Sequence, residues 1–162
     1  MTTITSTQPT IATARTWPNI IDGREVAGAG EEIRRDSPAH DILVARYHSA
    51  SEADVDAAVT AARRAFSAGD WPRTSGAGRA ALLRRVAARI EAERDDLALT
   101  ETLESGKPIS QAKDEMASAA GIWYYAASLA QHAYGDAHNA LGPEYLAVTV
   151  KEPVGVVGMI TP

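Results

Sequence analysis

Residues 154–162 read VGVVGMITP, and the fold turns on what this stretch is. Val154, Val156, Val157 and Ile160 make an apolar run rich in β-branched side chains, the pattern of a buried strand. Thr161-Pro162 reads as the first step of a turn, because proline cannot continue a central strand. Strands of this kind are covered on both faces in parallel α/β sheets. The run thus has the look of a strand from an α/β fold, yet no helix follows it within the 162 residues to cover it. With a hairpin and several helices before it, a small α+β domain fits as well.

Working outward, EYLAVTVKE (144–152) alternates Tyr145, Ala147 and Thr149 against Leu146, Val148 and Val150, a second strand that Pro153 separates from the first. Residues 51–134 carry helical periodicity. SEADVDAAVTAARRAF opens with Ser51 and Asp54 in capping-box spacing. Val55, Ala58, Val59, Ala62 and Phe66 fall on one face of that helix, and Gly69 stops it. WPRTSGAGR (71–79) reads as a linker. Leu82, Leu83, Val86 and Ile90 mark a second helix, and a short third spans about 95–104, broken by Gly106 and Pro108. Ala112, Met116, Ala119, Trp123, Ala127, Ala130 and Tyr134 mark the longest helix, with Gly135 closing it.

Nearer the amino terminus, NIIDGREV (19–26) places Asp22-Gly23 where a tight hairpin turn needs positive φ. DILVARYH (41–48) is a further strand, entered from the turn SPAH. Residues 1–16, Thr-rich and without an acidic residue, read as a disordered tail. The remainder, 17–162, is one incomplete domain.

A chain of 162 residues with 45% hydrophobic and 23% charged residues can bury a core of its own. A net charge of −5 argues against partners such as nucleic acid or an anionic membrane. The absence of cysteine excludes disulfides, thiolate metal sites and a cysteine nucleophile within these residues. No apolar stretch approaches the ~20 residues of a membrane span, and a cytoplasmic location is expected.

Tested motif by motif, the residues hold no catalytic constellation. Gly106-Lys107 is followed by Pro108 rather than the Ser or Thr of a phosphate loop, and the glycine five positions earlier is replaced by Glu101. Gly155 and Gly158 lack the helix that a dinucleotide fingerprint opens. His40, His48, His132 and His138 show no metal-ligand spacing, and no G-x-S-x-G elbow occurs. Adjacent acids such as Asp95-Asp96 diverge on a helix and make no acid/base pair. Trp123-Tyr124-Tyr125 reads as core packing. No residue is therefore assigned a catalytic role.

The order of the segments carries more. NIIDGREV, DSPAH, SEADVDAAVTAARRAFSAGDW, ETLESGKP, WYYA and EPVGVVGMITP follow one another as in the amino-terminal third of the NAD(P)⁺-dependent aldehyde dehydrogenases, which the chain resembles from about Trp17 onward. The resemblance implies an α/β fold with 17–162 an incomplete cofactor-binding domain: strands and a hairpin, a helical region, an oligomerisation-arm strand at about 144–152, and the first strand of a Rossmann-type cofactor domain. It implies that NAD or NADP is the cofactor of the complete enzyme, with Ile160, Thr161 and Pro162 in the loop lining it. Asp36 and Glu104 match positions that hold a structural monovalent cation in some members, mostly through backbone carbonyls. In the family a cysteine thiolate attacks the aldehyde, and a glutamate-activated water hydrolyses the thioester that follows hydride loss. An asparagine amide, two residues past the match to Pro162, stabilises the oxyanion. None of these three residues lies in the chain, so the 162 residues alone are expected to be inactive. Self-association through the 144–152 strand is expected, since an unpaired strand edge invites pairing. The alternative reading is a non-catalytic small α+β protein acting in protein–protein contact.

Overall fold

The computed structural model describes residues 14–161. It begins with a small mixed sheet. Strand β1 (Arg15–Trp17) runs parallel to β5 (Leu43–His48), and β4 (Glu32–Asp36) pairs antiparallel on the other side of β5. β1 shortens the expected tail: Arg15 and Thr16 pair with Ala45 and Arg46, and the Arg15 guanidinium lies 4.0 Å above the Trp17 ring. The rest of the tail reading, residues 1–13, lies outside the described residues.

β2 (Asn19–Ile21) and β3 (Arg24–Val26) form the hairpin that Asp22-Gly23 predicts. Both turn residues have positive φ, 55° and 71°, as a two-residue turn matched to strand twist requires. The SPAH turn joins β4 to β5, closed by the Ser37 N–H donating to the Ile42 carbonyl at 2.8 Å. β4 itself has no counterpart in the sequence reading. Its residues, EIRRD, are all exposed and show no apolar alternation, so only pairing with β5 makes them a strand.

Four helices follow: α1 (Glu52–Ala68), α2 (Gly76–Ala92), α3 (Arg94–Ser105) and α4 (Ile109–Leu129). At the start of α1 the capping box is complete. Ser51 Oγ accepts from the Asp54 N–H at 3.3 Å, and Asp54 Oδ2 accepts from the Ser51 N–H at 2.8 Å. The linker expected at 71–79 is instead a short 3-10 turn, Trp71–Arg73, followed by the first turn of α2. Ser75 caps that turn by accepting from the Gly78 N–H at 3.2 Å. A Cβ on Gly76 would lie 2.6 Å from the Ala130 carbonyl oxygen, so the bare backbone lets the start of α2 approach the end of α4.

The core is built of alanine. Ala80 and Ala87 of α2, Ala98 of α3, and Ala112, Ala120 and Ala127 of α4 are buried, joined by Leu103 and, in the sheet, Ala45. Ala80 and Ala87, like Ala120 and Ala127, stand seven apart and so share one helix face. Small side chains at these contacts let α4 pack closely on α2 and α3. The expected aromatic core is displaced by this arrangement. Trp123 and Tyr125 remain exposed, while the Tyr124 hydroxyl donates to Glu91 Oε2 at 2.8 Å and ties α4 to α2. The apolar face of α1 is also uncovered: Val55, Val59 and Phe66 are exposed, and the helix buries none of its residues.

α4 stops earlier than its periodicity suggests. Its last regular residue is Leu129, and the chain turns at 130–134 through the His132 N–H donating to the Leu129 carbonyl. Beyond that turn Gly135 passes against the final hairpin: an added Cβ would stand 1.7 Å from the Thr149 carbonyl oxygen. There β6 (Ala137–His138) pairs antiparallel with β7 (Ala147–Val148). The strand expected over 144–152 thus shrinks to two residues. Beside it, the Thr149 N–H donates to the Asp136 carbonyl at 2.8 Å and the Asp136 N–H donates to the Thr149 hydroxyl at 2.7 Å.

Candidate functional site

Two places absorb the residues singled out from the sequence. The first is the carboxy-terminal run. Residues 154–161 are irregular and pair with no strand among the described residues, contrary to the buried strand expected there. Val154 is 95% exposed, Met159 87% and Ile160 100%. A β-branched run acquires strand structure only by hydrogen bonding to a neighbour and burying its faces. Neither partner is found among residues 14–161, so the pattern survives in the sequence while the ladder is absent. Of the three cofactor-lining candidates, Ile160 and Thr161 lie side by side on this exposed run. Pro162 lies outside the described residues.

The second place is the joint made by ETLESGKP. Gly106, at φ 77°, ends α3 in the left-handed conformation, and its N–H donates to the Thr102 carbonyl at 2.9 Å. Pro108 then caps α4. Lys107 sits between the two helices, its Nζ 3.0 Å from Glu101 Oε1 of α3 and paired also with Glu115 of α4. The hydrogen bonds to Glu115 and to Glu101, with their negative charge, hold the Lys107 ammonium above its usual pKa. The motif is thus a helix stop, a helix start and a charged rivet across them. A phosphate-binding role for Gly106-Lys107 has no support here, since Lys107 is engaged by two carboxylates.

The sheet meets this joint. A Cβ on Gly106 would lie 3.1 Å from Pro38 Cγ, and the Arg35 guanidinium Nη2 donates to the Glu104 backbone carbonyl at 2.9 Å. The cation candidates Asp36 and Glu104 therefore stand on two segments that the fold does bring together. The groups around them do not suit a cation. The Glu104 carbonyl already accepts from a guanidinium, and Asp36 Oδ1 lies 3.6 Å from the Arg34 guanidinium. Among the described residues, no three His, Cys, Asp or Glu side chains converge as a metal cage. Sequence reasoning missed Arg35 because nothing in EIRRD distinguishes one arginine from the other.

One further carboxylate is tuned by its surroundings. Asp54 accepts from the Ser51 backbone, from the Ala29 N–H at 3.1 Å and from the Ser51 hydroxyl, which together hold it below the usual aspartate pKa. Its work is structural: it caps α1 and anchors the loop after the β2–β3 hairpin.

Comparison with known proteins finds matches to both the sequence and the architecture. The sequence profile of the Aldehyde dehydrogenase family matches residues 26–162. Aminoaldehyde dehydrogenase 2 of Zea mays is 39% identical over 132 residues, which is 78% of this chain and 26% of that protein. Betaine aldehyde dehydrogenase of Bacillus subtilis is 32% identical over 143 residues, 88% of this chain and 29% of that protein. The crystal structure of an NAD-dependent aldehyde dehydrogenase from Sinorhizobium meliloti superposes with a TM-score of 0.85 at 43% identity, covering 92% of this chain and 30% of that one. The chain thus spans under a third of the length of these relatives. With the profile match, the sequence identity and the superposition in agreement, the chain belongs to the aldehyde dehydrogenase family.

Proposed function

We propose that this chain serves as the amino-terminal segment of an enzyme that oxidises an aldehyde to a carboxylic acid with NAD⁺ or NADP⁺. The observation that carries the reading is the profile match over 26–162, with the superposition on the S. meliloti enzyme. In the complete enzyme the cofactor takes up the hydride. The part of this chain is to deliver Ile160, Thr161 and Pro162 to the cofactor-lining loop, on a strand that needs neighbours to form. The exposure of Val154, Val157, Met159 and Ile160 supports a segment made to be covered.

By themselves the 162 residues have no aldehyde-oxidising activity, because no thiolate is present to form the covalent intermediate. The test is a spectrophotometric assay of the purified chain with a panel of aldehydes and either nucleotide. No aldehyde-dependent NADH or NADPH is expected, and a steady rate that scales with chain concentration would overturn this part of the proposal. Self-association through the β7 region is part of the same proposal, supported by exposed Tyr145, Leu146, Val148 and Val150. A cytoplasmic setting belongs to the same proposal, and among the described residues no helix is long and apolar enough to cross a membrane. The reading as a non-catalytic contact protein draws on the same exposed surface, and no observation favours it separately.

A further inference from the structure

We propose that Arg35 serves as a built-in cation at the carboxy-terminal end of α3, in the place where the family resemblance implies a monovalent metal ion. The inference rests on the disagreement between that implied ion and the groups the fold places there.

The end of α3 is a site of concentrated negative potential. A helix carboxy terminus presents unpaired carbonyls and the negative end of the macrodipole. The last turns of α3 add the acids Glu101 and Glu104 and contain no basic residue. Positive charge must therefore come from elsewhere in the fold, and two side chains bring it. Lys107, just past the helix, reaches Glu101 and Glu115. Arg35, 69 positions from Glu104 in the sequence, reaches across from β4 and donates to the Glu104 carbonyl at 2.9 Å.

A guanidinium suits this task. It cannot lose its charge at neutral pH, and its planar donors match a carbonyl without bringing a hydration shell. Its position is set from both sides. Arg35 pairs with Ala45 in the β4–β5 ladder, next to the irregularity between Arg35 and Asp36. Pro38 rests against Gly106 two residues beyond the helix carbonyl it serves. The contact between sheet and helix end thus sets a protein-borne charge against the negative terminus of α3. An alkali ion at that carbonyl would have to share it with a cation, with Arg34 also nearby at Asp36.

The experiment is thermal unfolding of the 162-residue chain in potassium, sodium and choline chloride at equal ionic strength, followed by circular dichroism. The wild-type midpoint is expected to be the same in all three salts. Arg35→Ala is expected to lower the midpoint by about 3–6 °C in choline, and to recover part of that loss in potassium or sodium, as a small ion enters the vacated place. Arg35→Lys, which keeps the charge, is expected to remain indifferent to the salt. A wild-type chain stabilised by potassium or sodium over choline would overturn the proposal, and would bring the buried, unpartnered Ser37 and Thr102 hydroxyls forward as ion ligands. An Arg35→Ala chain that melts like wild type in every salt would overturn it equally. Should Arg35→Ala fail to fold, Arg35→Gln, which keeps a donor for the Glu104 carbonyl but not the charge, is expected to gain stability in potassium or sodium over choline, and its indifference to the salt would overturn the proposal.

Discussion

At the scale of single residues, this chain relies on backbone groups satisfied by a few side chains. Ser51 and Asp54 close the start of α1 reciprocally, and Asp54 also accepts from Ala29, so one carboxylate joins a helix to the preceding loop. Ser51→Ala should cost about 1 kcal/mol, measured as a downward shift in the unfolding midpoint. Because the folded pKa of Asp54 is depressed, its contribution is present above the unfolded value, 3.8, and is lost as pH falls through the folded value. Acid titration of wild type and Asp54→Asn should therefore converge in that low window, and parallel curves across it would contradict the assignment. Gly135→Ala makes a harsher demand, since its methyl would collide with the Thr149 carbonyl. A loss on the order of 2 kcal/mol is expected, with the β6–β7 hairpin opening first in hydrogen exchange.

At the scale of elements, α3 and α4 are joined by a stop, a turn and a rivet. Replacing Lys107 with Met should loosen α4 from α3 and lower the midpoint. The pH dependence should also differ: the folded pKa of Lys107 is raised, so its contribution is full below 10.5 and disappears only as pH rises through the folded value. Wild type should thus lose stability in strong alkali more steeply than Lys107→Met. Elements with their own local signal were legible in the sequence. The Asp22-Gly23 turn, the Ser51 capping box and the Gly106-Pro108 break are chemical instructions acting within a few residues, and each appears as read. Elements defined by partners were not legible. β4 is a strand only because β5 lies beside it, Gly76 and Gly78 resemble a linker but open a helix packed against Ala130, and the 154–160 run has strand chemistry without a strand. The alanine core follows the same logic: helix approach is a property of two surfaces, and the aromatic WYYA drew attention away from it.

At the scale of the whole molecule, a small alanine-built helical core coexists with apolar surface that nothing among the described residues covers. Val55, Val59 and Phe66 on α1, Leu146, Val148 and Val150 by the last hairpin, and Val154, Val156, Val157, Met159 and Ile160 beyond it are all open to solvent. A chain with this surface should bind a hydrophobic dye while retaining its helical circular dichroism, and it should self-associate at micromolar concentration in light scattering. A monodisperse monomer that leaves the dye dark would contradict that picture. The candidate site was legible only as far as its motifs: the sequence marked 160–162 and ETLESGKP, but the charge that Arg35 brings to α3 required the fold.

As proposed above, this chain serves as the amino-terminal segment of an enzyme that oxidises aldehydes. Its most direct test is to graft residues 17–162 in place of the matching segment of the S. meliloti enzyme, with which the chain is 43% identical, and to measure aldehyde-dependent NADH formation. The chimera is expected to fold and to oxidise aldehydes at a rate within about tenfold of its parent, equivalent to roughly 1.4 kcal/mol of barrier. A soluble, cooperatively folded chimera that forms no NADH would contradict it.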